Sequence, residues 1–558
     1  QFHVKPSLNH YIYPHTLSAA NINSSYETTK EGLSANSVFC AAGIASPGDT
    51  LTCTVIPSDS YSDGTTRSAS VTLLNSPPVA SDLKIYPIRS GNVHLDSETL
   101  GVLYTYFDPD GQLESGSQIR WYMNGVLQAG LNDQRTVPAS TTQVGQTWHY
   151  TVAPRDSEGA VGDTQTCPTT VTIRANNAPV TGTPTLASTN GGTSYDDEEL
   201  TATSAATTDA NNDATTNIYH WTKNGVSQTN LQMPFETEVP IIPNTNSAVK
   251  DYSGYNNNGV ANGSTWIQDG VVGGALSFDG DDYIQIQESG STLGGEGGWS
   301  QISVEFWIKT TSTSTETVLL MHDTVFTADD DAPVGVGYWV DYRGRNDGYQ
   351  VYWYVAGTSA VNGVNFRVYE GAGQWHHVVC TYQSGAGLKI YTDGLLRTTL
   401  AATGNINATI DDLLNIGGLG STGNFVGSMD EVRIYQTALS AAQVFQRYVD
   451  TLDGVSDSET IVPQETSVGD SWMCQVIPND VWGDGSGVNS QSLSISARST
   501  QPHIDWYAPA NSTFNADTVS LLNFTQISSG TGLSYAWTLD NVQQATTQNY
   551  TYMPTAGT

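Results

Sequence analysis

"CQVIPND" at 474–480 is the third statement of one phrase, after "CTVIPSD" at 53–59 and "YTVAPRD" at 150–156. The first two start 97 residues apart (53 to 150), but the next gap is 324 (150 to 474). A second phrase keeps time with it: "WYMNG" at 121–125 returns as "WTKNG" at 221–225 and, altered, as "WTLDN" at 537–541. Upstream, "DSETL" (96–100) and "DDEEL" (196–200) precede their tryptophans by the same 21 residues (100 to 121, 200 to 221). The chain therefore repeats at roughly 100 residues, and the repeat is interrupted once. From Trp121 to Tyr150 is 29 residues, whereas from Trp221 to Cys474 is 253, so 224 residues lie inserted in the third unit. Insertion at an exposed loop tip leaves the host's strands free to pair across it.

Each unit reads as a strand, an acidic loop, a strand carrying Trp, an Asn-Gly turn and the V-x-P-x-D strand. Asn-Gly favours the type I′ hairpin because both central residues need positive φ. A unit of this size and pattern is that of an immunoglobulin-like sandwich. Trp121 and Trp221 are expected in its core, with Tyr150 and Cys474 opposite them on the other sheet. The expected fold is all-β: tandem immunoglobulin-like sandwiches with a further domain inserted into the third. The boundaries run 1–76, 77–176, 177–238 continued at 453–498, the insert at 239–452, and an incomplete unit at 499–558.

Composition agrees with short strands and many turns, since glycine is abundant (54 of 558 residues). Net charge is −35, from 55 acidic against 20 basic residues. Such a chain is repelled by phosphate backbones and anionic lipid, which argues against nucleic-acid partners. No apolar run approaches the ~18 residues of a membrane span. The chain begins with Gln1, so either a leader has been removed or this is a fragment. The five cysteines (40, 53, 167, 380, 474) follow no CxxC metal spacing; Cys40 and Cys53 could bridge, and the others read as small buried apolar residues. Sequons at Asn23, Asn262, Asn407, Asn511, Asn523 and Asn549 fit an exported glycoprotein.

The insert carries its own series: "DYSGYNNNGVANGSTW" (251–266), "GGALSFDGDDYIQI" (273–286), "ISVEFWIKT" (302–310), "WHHVVCTY" (375–382), "LKIYTDG" (388–394), "LNIGG" (414–418) and "FVGSMDEVRIYQTALS" (425–440). Period-two runs such as Val304, Phe306 and Ile308 mark strands with one buried face. These motifs, in this order, resemble the laminin-G-like, concanavalin A-like jelly-roll family. The resemblance implies a binding module for carbohydrate or protein, often with a structural calcium ion. Its calcium ligands would fall on Asp251 and Asp430, with Asp279 a weaker candidate. His376 and His377 read as strand residues, and "TADDDAP" (327–333) as a solvated or calcium loop. Family glucanases need paired carboxylates on one strand face, and 240–450 offers no such run, which argues against an enzyme. A lectin site would show aromatic side chains near polar loops, and "GYWVDYRGRNDGYQVYWYV" supplies Tyr338, Trp339, Tyr342, Tyr349, Tyr352 and Trp353. Alternation turns some of these outward, and core packing is the default for most.

Before each Trp strand lies an oxygen-rich loop, "DPDGQLE" (108–114) and "DANND" (209–213). Alternating Asp and Asn side chains can wrap a Ca²⁺ ion. In a sandwich of this kind, the loop after the V-x-P-x-D strand emerges at the same end. Asp108, Asp110 and Asp156 are therefore one candidate calcium site, and Asp209, Asn211, Asp213 and Asp480 another. The competing reading is of Asp-rich turns.

The final unit stops before its V-x-P-x-D strand, and the first has no W-x-x-N-G. Either a longer protein has been cut, or incomplete ends are completed by neighbouring chains in a filament. The layout as a whole resembles archaeal or bacterial cell-surface proteins of tandem immunoglobulin-like or PKD-like domains with a laminin-G-like head. The function expected is an extracellular structural or adhesive stalk displaying a lectin-like head for carbohydrate or a surface protein. The alternatives are a purely structural filament or surface-layer subunit and, third, a carbohydrate-active enzyme.

Overall fold

The computed structural model describes residues 47–57, 61–189, 194–242, 247–290, 292–294, 296–310, 316–322, 337–345, 348–356, 361–368, 373–408, 413–419 and 424–497, and five strand segments between 503 and 552. The chain divides into two compact units, Gln1–Arg174 and Ala175–Thr558. Both are built of strands, and the expected all-β class is found.

In the first unit, Thr50–Val55 and Arg67–Thr72 form a hairpin with Cys53 exposed on it; Cys40 lies outside the described residues. A two-sheet sandwich follows. One sheet holds Val79–Tyr86, Leu100–Phe107 and Thr136–Val137. The other runs in the order Val93–Leu95, Val171–Arg174, Thr147–Ala153, Gln118–Met123, Val126–Leu127. Trp121, Trp148 and Tyr150 are buried between the sheets with Leu100 and Ile173. Tyr150 does not sit opposite Trp121 on the other sheet, as expected, but beside it on the neighbouring strand of the same sheet. Side-chain alternation reveals which face a residue occupies, and two neighbouring strands present the same face. The Tyr150 hydroxyl does cross the core, donating to the Leu103 carbonyl at 2.7 Å.

The second unit opens with another sandwich whose strands come from both sides of a long excursion. Leu200–Thr203 pairs with Ser458–Ile461, and Thr216–Lys223 with Ser471–Asn479, so Trp221 lies beside Cys474. This is the same correction as for Tyr150. Trp221, Trp472, Cys474 and Ile461 share its core. The intervening chain forms two eight-stranded sheets face to face around one continuous core. One sheet is centred on Val426–Tyr435, Gln301–Thr310 and His376–Gln383. The other includes Tyr283–Gln287, Leu413–Ile416, Glu316–His322, Tyr338–Arg345, Gly348–Ala356 and Val361–Val368. The excursion begins earlier than 239: Leu231–Met233 already pairs with Val432–Ile434, because Leu231 and Met233 are fully buried in the jelly-roll core.

The helix Ala441–Leu452 leads the chain back to the host. Ser440 caps it, with Gln443 closing the capping box, and its buried face carries Ala442, Val444 and Arg447. Arg447 and Arg433 both donate to Oε1 of Glu459 on the host strand, each at 2.7 Å. Trp221 Nε1 donates to the other oxygen of Glu459 at 3.1 Å. A buried ion cluster thus joins jelly-roll strand, helix and host core. Among the described residues, no helix is long and apolar enough to cross a membrane.

Candidate functional site

Strands Gln301–Thr310 and Val426–Tyr435 pair with Ser303 beside Tyr435. That register brings the segment before the first strand, Gly298–Ser300, and the one after the second, Gln436–Thr437, to the same end of the sheet. The host hairpin reaches this end too. Thr222 pairs with Ser227 and Lys223 with Val226, and Asn224 and Gly225 adopt the positive φ (54° and 78°) that the turn demands. Asn230 fixes the hairpin there. Its backbone N–H donates to the Ile434 carbonyl (2.7 Å), its Oδ1 accepts from Gln436 N–H (2.9 Å), and its Nδ2 donates to the Thr292 carbonyl (2.9 Å).

Between hairpin and jelly roll lies a cleft of about 460 Å³, to which Tyr255 also contributes. Its walls combine the rings of Trp299 and Tyr255 with the carboxamides of Gln228, Gln301 and Gln436. Hydroxyls of Ser227, Ser300 and Thr437 complete the polar rim. Trp299 is half-buried, its ring lying over Gly294, where an added Cβ would come within 3.2 Å of it. Among the described residues no charged side chain lines the cleft, although the protein carries a net charge of −35. Aromatic faces with neutral donors and acceptors suit an uncharged ligand that has both C–H surfaces and hydroxyls. None of this was legible in the sequence, because the lining comes from four separated segments.

The aromatic stretch examined in the sequence divides by alternation. Tyr338, Tyr342 and Trp353 point into the jelly-roll core, whereas Trp339, Tyr352 and Tyr354 occupy the opposite face of that sheet. The Tyr349 side chain lies outside the described residues. On the outer face the rings cover one another. Trp339 stacks on Tyr354 at 4.6 Å between centroids, Tyr352 on Tyr354 at 6.0 Å, and the Arg343 guanidinium lies 4.2 Å from the Tyr352 centroid. Trp339 is only 6% exposed, while Tyr352 and Tyr354 are half-buried.

The three expected calcium ligands of the jelly roll do not converge. Asp251 accepts from Gln232 N–H, Ser253 N–H, Ser253 hydroxyl and Asn257 N–H at 2.7–3.0 Å, which saturates both oxygens and makes it a loop anchor. Asp430 accepts from the N–H groups of Val271, Val272 and Glu431. Burial, then Glu431, pushes its carboxyl well above the ordinary value, and burial and Asp430 do the same to Glu236. Asp279 groups instead with Asp281 and Asp282, ligand atoms within 4.8 Å, the first two exposed and Asp282 buried. The donor sets of Asp251 and Asp430 therefore do not fit the shared calcium site that the resemblance implied. "TADDDAP" lies outside the described residues.

His376 and His377 are both buried, and they pair with Asp393 (3.0 Å) and Glu305 (2.9 Å). Burial alone would raise the Glu305 carboxyl, but the His377 hydrogen bond and charge, with Arg433 and Arg447, outweigh it and hold it at about 2. Cys167, Cys380 and Cys474 are buried, and burial raises each thiol. Of the sequons, Asn262 and Asn407 are half-buried, and Asn262 donates to the Val260 carbonyl. Asn23, Asn511 and Asn549 lie outside the described residues, and Asn523 sits on strand Leu522–Ser529. In the sandwiches, Asp110 accepts from Ser76 N–H, next to the Asn75 that donates to Asp156, and Asn211 accepts from Asn177 N–H, next to the Asn176 that lies against Asp480.

Several solved structures are similar to part of this chain. The receptor binding domain of botulinum neurotoxin C/D mosaic serotype is 16% identical over 40% of this chain, with a TM-score of 0.30; the chain spans 51% of its length. Domain 4 of AbnA, a GH43 extracellular arabinanase from Geobacillus stearothermophilus, in complex with arabinotriose, is 18% identical over 39% of this chain and 97% of its own, with a TM-score of 0.28. No curated protein matches the chain. Residues 278–445 match the model of a laminin-G-like family described as the concanavalin A-like lectin/glucanases superfamily.

Proposed function

We propose that this is an extracellular surface protein whose jelly roll binds a neutral saccharide in the cleft between Trp299, Tyr255 and the host hairpin. The observation that carries the reading is the composition of that cleft: two aromatic rings, three glutamine carboxamides and three hydroxyls, with no charged group among the described residues. Sugars present alternating C–H faces and hydroxyls, which such walls match by stacking and by neutral hydrogen bonds. The volume, about 460 Å³, lies within the range of small-molecule sites. Among the described residues the lining offers carboxamides and hydroxyls rather than a carboxylate or imidazole to serve as general acid or base, so we read the cleft as binding.

A glycan array probed with the whole chain, followed by titration calorimetry of the hits, tests the reading. A hit is expected to lose at least about tenfold in affinity with Trp299→Ala while the fold is retained. Hits that bind Trp299→Ala as well as the parent would refute the cleft.

A purely structural role in a surface stalk is favoured by a different feature, the buried Arg433–Glu459–Arg447 cluster that couples insert and host. A chain that binds no glycan on the array would support that reading instead.

A further inference from the structure

The two acidic loops singled out in the sequence are the same constellation built twice. In the first sandwich, Asp108 Oδ1 accepts from the N–H groups of Asp110 (2.8 Å) and Gln112 (3.2 Å), while Asp110 accepts from Ser76 N–H at 2.7 Å. In the sandwich of the second unit, Asp209 Oδ1 accepts from Asn211 N–H (2.7 Å) and Asp213 N–H (3.0 Å), while Asn211 accepts from Asn177 N–H at 2.7 Å. Each partner is displaced by 101 residues (108 to 209, 110 to 211, 112 to 213, 76 to 177). The aspartate ending the V-x-P-x-D strand closes each set. Asp156 Oδ1 accepts from three backbone N–H groups, and its Oδ2 from Asn75 Nδ2 at 2.7 Å. Asp480 Oδ1 accepts from Trp482 N–H (3.0 Å) and Gly483 N–H (2.9 Å), with the Asn176 side chain lying against it.

Loop turns account for the inner oxygen of each aspartate but not for the outer ones. Asp108 Oδ2 and Asp480 Oδ2 are buried with no hydrogen-bond partner, on residues only 6% and 1% exposed. Asn75 Oδ1 and Gln112 Oε1 share that condition in the first set, and Asn176 Oδ1 and Asp209 Oδ2 in the second. Contacts link the residues that carry them: Asn75 donates to Asp156, the adjoining Ser76 N–H donates to Asp110, and Asp110 N–H donates to Asp108. The Tyr106 hydroxyl, itself buried and unpartnered, feels Asp108 and Asp156 together, and Asp480 feels Asp209. Unpaired acceptors gathered out of water repel one another and cost stability unless a cation joins them.

We infer that each sandwich end holds a divalent hard cation, Ca²⁺ by its all-oxygen donor set. Asn75, Asp108, Asp110, Gln112 and Asp156 form one site, and Asn176, Asp209, Asn211, Asp213 and Asp480 the other. Imidazole and thiolate, which would select softer metals, are missing from both sets. Asn75 and Asn176 each lie on the segment that leads into its own sandwich, so the ion ties that segment to the sandwich end.

The test is calorimetric titration of the EDTA-stripped full chain with CaCl₂. Asp108→Asn and Asp480→Asn are each expected to lower the stoichiometry by one ion, and the double variant by two, with near-UV circular dichroism confirming the fold. If an aspartate variant does not fold, Asn75→Ala and Asn176→Ala replace it, each expected to weaken its site by about tenfold. Absence of binding up to about 1 mM Ca²⁺, or a titration unchanged by all of these variants, overturns the inference.

Discussion

Glu459→Ala is the sharpest test of how the jelly roll is held to its host. The Glu459 side chain is 6% exposed and accepts from Arg433 and Arg447, each at 2.7 Å. It also accepts from Trp221 Nε1 at 3.1 Å. Truncation leaves two buried guanidinium groups with weaker company. Arg433 keeps Glu431 at 2.9 Å, while Arg447 keeps Glu465 only at 3.8 Å. Breaking a buried ion pair from one side costs about 3–5 kcal/mol, and the surviving Glu431 and Glu465 place this case near 3. For a domain of this size that lowers the Tm by roughly 6–12 °C. Glu459→Gln, which retains an acceptor for Trp221 or one arginine, falls between the parent and the alanine variant. Thermal melts followed by near-UV circular dichroism read both. A Glu459→Ala protein melting within about 2 °C of the parent would refute the claim that this cluster holds the seam.

Other consequences follow from single residues. Burial, and then Glu459, raises the Asp450 carboxyl to about 7. The folded state therefore binds that proton more tightly than the unfolded chain, so Asp450 costs increasing stability as pH rises from about 4 to about 7. Asp450→Asn should flatten this dependence and melt higher than the parent at pH 8, as urea titrations at pH 5 and 8 would show. Glu305, held at about 2, acts in the opposite sense: its contribution is present above the ordinary carboxylate range and lost as pH falls toward 2. A Cβ on Gly485 would stand 1.9 Å from the Pro179 carbonyl oxygen, and one on Gly162 1.8 Å from that of Pro78. Either glycine changed to alanine should cost about 1–3 kcal/mol, read as a lower urea midpoint.

The all-β class and the concanavalin A-like domain were legible because both rest on local signals. Alternating runs such as Val304–Phe306–Ile308 fix which side chains go inside, and the phrase ending in Asp156 and Asp480 marks a strand each time. What alternation cannot carry is the pairing of those strands, which is why Tyr150 and Cys474 were expected on the wrong sheet. The cleft was hidden for a stronger reason. Gln228, Tyr255, Trp299 and Gln436 meet only because Asn230 bonds to Ile434 and Gln436 across some 200 residues of chain, a contact with no periodic trace. Conversely, Trp339 and Tyr352 advertised an aromatic face, yet both stack on Tyr354. The backbone N–H groups that donate to Asp251 and Asp430 likewise leave no motif in the sequence.

The most direct measurement is a crystal structure of the chain with its best glycan-array hit. The account predicts the sugar seated between Trp299 and Tyr255, its hydroxyls on Gln228, Gln301 and Gln436. A sugar bound instead on the outer sheet face at Trp339 and Tyr354, with the cleft empty, would contradict it.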